Sequence, residues 1–89
     1  MAIFQPPDDR AYNAWLAANP SGYVINTEPN GRGYIRLHRA ACGTIHTDPA
    51  IASYIKICST SLDELDNWAV QRTGAPAPRC QIRGRNCWR

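Results

Sequence analysis

Large apolar side chains are scarce in this chain. One phenylalanine and one methionine occur among 89 residues, so core mass must come from three tryptophans, four tyrosines and the aliphatic positions. A folded chain of this length buries only about 60–65% of the surface its unfolded form exposes, so a metal or covalent staple would help it. Lysine is nearly absent as well: Lys56 is the only one, and nine of the ten basic residues are arginine. A GC-rich codon bias gives the same excess, but arginine also supplies a planar, always-charged fork suited to phosphate and carboxylate. No run approaches the ~18 apolar residues of a membrane helix, and the lead Met1-Ala2-Ile3-Phe4 is interrupted by Pro6-Pro7 and Asp8-Asp9. A cytoplasmic protein with no membrane partner is expected. The chain also lacks H-E-x-x-H, a Gly-rich phosphate loop, a Ser-His-Asp set and paired catalytic carboxylates, which argues against an enzyme and against a small-molecule substrate.

Hydrophobic content of 44% against 19% charged marks a globular chain, and 89 residues make a single small domain, 1–89. The net charge is +3, and Arg79, Arg83, Arg85 and Arg89 fall in the last eleven residues with no acid among them.

Periodicity predicts an α+β domain. A helix over 8–19 opens at Asp8 as N-cap and carries Ala11, Tyr12, Trp15 and Leu16 as a one-sided apolar stripe. Asn19-Pro20-Ser21-Gly22 stops it. A three-stranded antiparallel sheet follows over 22–58. Its strands are Gly22 to Glu28, Tyr34 to Arg39 and Ser53 to Cys58, and Asn30-Gly31 turns the first hairpin. Ser61-Leu62-Asp63-Glu64 forms a capping box for a second helix over 61–73, with Leu62, Leu65, Trp68 and Ala69 on one face and Gly74 as its stop. Ala75-Pro76-Ala77-Pro78 is a stiff extended spacer leading to a basic, cysteine-containing tail at 79–89.

The chemistry concentrates in His38 and Cys42, four positions apart at a strand exit, and in Cys80 and Cys87 near the far end. Thiolates and imidazole are the donors zinc prefers, and a tetrahedral site closed by four of them is structural. His38, Cys42, Cys80 and Cys87 are therefore the expected ligands of one structural Zn2+, forming a C-terminal zinc knuckle. Cys58 and His46 are substitutes for either His38 or Cys87. Free thiols and disulfides are the alternatives for the same cysteines.

Several of these residues resemble a known family. The strand Leu37-His38-Arg39-Ala40-Ala41-Cys42, the strand and Ser-x-x-Glu-Leu helix over Ile55 to Trp68, then Gly74, Pro78 and Cys80 look like the Ada-type metal-binding domain over roughly residues 22–87. The resemblance implies a small zinc module that touches DNA. Six residues separate Cys80 from Cys87 where that family has two, and the N-terminal helix is extra. In the Ada repair protein the first ligand is a zinc-activated cysteine that accepts a methyl group; His38 occupies that position here, so methyl acceptance is not expected. The leading expectation is a non-catalytic module that binds nucleic acid through Arg36, Arg39, Arg79, Arg83, Arg85 and Arg89, with Trp88 stacking on a base or packing on the core. The alternative is a protein-interaction or regulatory factor, phage or mobile-element encoded, in which metal or disulfides are purely structural.

Overall fold

Alternation of side chains along Tyr23-Val24-Ile25-Asn26-Thr27 fixes the architecture. The computed structural model describes residues 1–5, 8–28, 34–42 and 54–80. Within them lie strand β1 (Ala2–Phe4), helix α1 (Asp9–Ala18), strands β2 (Tyr23–Thr27), β3 (Ile35–Arg39) and β4 (Ile55–Ser59), and helix α2 (Leu62–Thr73). The strands form one antiparallel sheet in the order β1-β4-β2-β3. β2 is central and rich in the β-branched and aromatic residues that suit a pleated, buried surface.

Pairing across β2 produces two rows of opposite orientation. Ile57, Ile25 and Leu37 align in one, and Cys58, Val24 and His38 in the other. Because successive side chains leave a strand on opposite faces, each row belongs to its own face. α2 covers the aliphatic row with Leu65 and Ala69, and α1 covers the cysteine–histidine row with Tyr12 and Leu16. The result is a helix–sheet–helix stack with two separate cores, and the chemistry-bearing side chains share the α1 core.

The α+β class is observed, but the sheet has four strands rather than three. Residues 2–4, read from the sequence as a lead-in, pair with β4 through Ala2–Cys58, Ile3–Ile57 and Phe4–Lys56. Three residues are too few to show a period-two signal. What places them is the edge of β4, whose backbone groups need a partner. Asp8 precedes α1 as expected but makes no side-chain cap. The capping box of α2 is half kept. Ser61 Oγ accepts from the Glu64 amide at 3.2 Å, but the Glu64 carboxylate accepts from the Ser59 hydroxyl at 2.6 Å instead of returning to its own cap. Ser59 Oγ in turn accepts the Ser61 amide at 3.0 Å, so the second bond of the box is relayed through one hydroxyl. Gly74 ends α2 at φ +86°, a left-handed conformation in which a side chain is strained.

The proline-spaced segment does more than space. The Leu37 amide donates to the Pro78 carbonyl at 2.8 Å and the Cys80 amide to the Leu37 carbonyl at 2.9 Å. These bonds make a parallel bridge between Leu37 and Arg79, so residues 78–80 run beside β3 on the edge away from β2. Prolines are tolerated there because their carbonyls still accept. Of the 79–89 tail, only Arg79 and Cys80 are among the described residues; the expected knuckle and the hairpin turn at Asn30-Gly31 lie outside them.

Candidate metal centre

The parallel bridge sets the register that matters. Arg79 stands level with Leu37, so it shares the α2 face, and the next residue, Cys80, shares the face of His38. Arg79 confirms this orientation: its guanidinium makes a two-pronged pair with the Asp66 carboxylate of α2, at 2.8 and 2.9 Å. The third residue comes from the exit of β3. The Cys42 amide donates to the Arg39 carbonyl at 2.9 Å and the Ala40 amide to the Gly22 carbonyl at 2.8 Å, which turns the chain back over the α1 face.

His38, Cys42 and Cys80 thereby converge. One ligand atom from each lies within 4.8 Å of the others, and all three residues are buried. The Cys42 and Cys80 sulfurs are 3.9 Å apart. That is far beyond the ~2.05 Å of a disulfide. It is close to the ~3.8 Å between two sulfurs bound tetrahedrally to one ion at ~2.3 Å each. This group can hold a metal ion.

Electrostatics favour a neutral imidazole. Burial first, then the positive charges of Lys56 and Arg36, push the pKa of His38 down to about 4. At neutral pH the ring keeps a lone pair available for coordination. Lys56 is itself buried, donates to Asn26 Oδ1 at 2.6 Å and holds its ammonium 5.4 Å from the centre of the Tyr12 ring. Burial lowers its pKa to about 8, against the opposing pull of Cys58 and Asp9.

Of the residues expected at the site, these three come together. Cys58 does not join them: it lies on β4 with Val24 of β2 between it and His38. Two strand spacings put their backbones roughly 10 Å apart. Burial drives its pKa up to about 12, so it is a protonated core thiol. Cys87 and His46 lie outside the described residues, as do Arg83, Arg85, Trp88 and Arg89. Among the arginines expected to meet nucleic acid, Arg79 is committed to Asp66, so a phosphate would have to compete with that carboxylate. Arg36 shares the face of His38, stands 6.0 Å from the centre of the Tyr34 ring and makes no ion pair among the described residues. Arg39 is half-buried where β3 ends.

Sequence reasoning missed two contributors. Asp66, which anchors the strand edge carrying Cys80, carries no spacing signal because its partner is thirteen positions away. Tyr12 reads as one more apolar position of the α1 stripe, yet it packs in the same core as Cys42, Cys58 and Cys80.

No family model, curated protein or solved structure matches this chain. The site therefore rests on its own geometry. No helix among the described residues is long and apolar enough to cross a membrane.

Proposed function

We propose that this chain is a non-catalytic, zinc-stabilised module that binds nucleic acid through an arginine-rich surface beside its metal centre. The observation that carries the reading is the convergence of His38 and Cys42, from the end of β3, and Cys80, from the far segment, onto one buried point. A donor set of thiolates and a neutral imidazole suits zinc above harder cations. Cys87 is the fourth ligand in this reading, which completes a closed, structural site with no position left for water activation. The Ada-type resemblance points the same way. Arg83, Arg85 and Arg89 follow Cys80 closely in sequence, and Arg36 shares the sheet face of His38. Together with Arg39 they supply the cations for phosphate, and Trp88 supplies a stacking surface.

Two measurements test the reading. Native mass spectrometry should give one zinc per chain, lost in Cys42→Ala. Anisotropy titrations on labelled DNA should show affinity falling steeply as salt rises, as counterion release requires when several phosphates are neutralised. Zinc with salt-insensitive or absent DNA binding would remove the nucleic-acid half. A stoichiometric protein captured from native lysate without nucleic acid would then favour the protein-interaction alternative.

A further inference from the structure

The α1 core contains a polar atom with no visible purpose. Tyr12 is fully buried, and its hydroxyl makes no hydrogen bond among the described residues. A buried hydroxyl without a partner is rare in folded proteins, because desolvation is not offset and phenylalanine would fill the same space. The neighbours of Tyr12 that are fixed by geometry address its ring. Phe4 packs at 5.9 Å between ring centres, and the Lys56 ammonium sits 5.4 Å from the ring centre. The oxygen is left for something else.

Its surroundings narrow the choice. Tyr12 packs in one cluster with Cys42, Cys58 and Cys80. Burial, with lesser contributions from Cys58 and Cys42, pushes the tyrosine pKa well above its ordinary range. Of these two, Cys42 alone belongs to the metal-holding group. A thiol is a weak acceptor. When a metal ion takes the thiol as ligand, the S–H proton leaves to solvent and the sulfur becomes an anion, a much stronger acceptor.

We propose that the Tyr12 hydroxyl donates a hydrogen bond to Sγ of Cys42 once a metal ion holds that sulfur as thiolate, making Tyr12 a positioning residue of the metal centre. The inference rests on the metal-centre reading above. Outer partners of this kind orient ligands and tune affinity by about 10–100-fold. Here the bond would hold Cys42 at its turn and disperse charge from a fully buried sulfur.

The test is Tyr12→Phe, which removes one oxygen and keeps the ring. Cobalt(II) and zinc titrations against a competing chelator are run on both full-length proteins, and the sulfur-to-cobalt charge-transfer band is recorded. The variant should bind about 10-fold more weakly or worse and shift that band, while in chelator it stays as resistant to urea as the wild type or more so. Equal affinity with an unchanged band would overturn the inference and leave the metal centre standing. Failure of the wild type itself to bind either ion would instead remove the metal-centre reading, and the inference with it. Repeating the pair in a Cys58→Ala background identifies the acceptor. A persisting effect supports Cys42, and an effect that vanishes reassigns the bond to Cys58 and overturns the proposal as stated.

Discussion

A neutral imidazole at the end of β3 ties the stability of this domain to pH. His38 has its pKa lowered from 6.5 to about 4, so the native chain refuses a proton that the unfolded chain accepts in that interval. Stability from the neutral ring is fully present above pH 6.5 and is lost as pH falls towards 4. Glu64, held low by the Ser59 hydroxyl, adds loss of the same sign as the pH falls through the carboxylate range. In chelator, urea midpoints should therefore decline across this window, and His38→Asn should flatten the upper part of the decline while leaving the Glu64 part. An unchanged profile in the variant would refute the assignment. The two described cysteines that face different tasks should separate as cleanly. Cys58→Ala should keep its full complement of metal and lose only about 1 kcal/mol of stability, whereas Cys80→Ala should lose the metal; zinc content by mass spectrometry distinguishes them. Residue chemistry of this kind was partly legible in the sequence. His38, Cys42 and Cys80 stood out as donors, but nothing in the spacing could show that Cys58 sits two strands away.

The elements were legible wherever a period runs for five residues or more. α2, β2, β3 and β4 follow from alternation, apolar stripe and caps, and their observed bounds fall within a residue or two of expectation. β1 was not legible because three residues carry no period, and the order β1-β4-β2-β3 was not because it depends on which edges need partners. The parallel edge at 78–80 was hidden by Pro76 and Pro78, which discourage a strand reading although the Pro78 carbonyl pairs. That edge is held to α2 by Asp66 and Arg79, a pair about a quarter to a third exposed. Asp66→Asn should cost about 1 kcal/mol once solvent screening is allowed for. It should also weaken metal binding by loosening Cys80, a coupling that chelator competition reads directly; unaltered affinity would show that the edge holds without the pair. At the other side of the sheet, Gly22 meets the α1–β2 junction. A Cβ there would lie 2.7 Å from Cη2 of Trp15, 3.1 Å from the Asn19 carbonyl and 3.3 Å from that of Ser59. Gly22→Ala should destabilise the fold by about 1–3 kcal/mol through overpacking, with altered Trp15 fluorescence as the local report.

Taken whole, the molecule is a sheet with two cores that do not mix. The metal group sits in one of them, and Cys42 and Cys80, 38 positions apart, enclose β4 and α2 between them. An ion joining them closes that loop in any state that keeps it, much as a cross-link would. Its removal should therefore act unevenly. Amide exchange at Tyr12 and Leu16 of α1, and at Cys80, should accelerate more on adding chelator than exchange at Leu65 and Ala69 of α2, whose core lies on the far face. Uniform acceleration would mean that the two cores open as one unit.

The placement of β1 and of residues 78–80 on opposite edges has a mechanical corollary. Tension drawn between residue 1 and residue 80 would run across the strands, not along them. It would load the hydrogen-bonded lines one after another, as a zip opens, and the last tooth on the β3 side would be whatever ion His38, Cys42 and Cys80 hold.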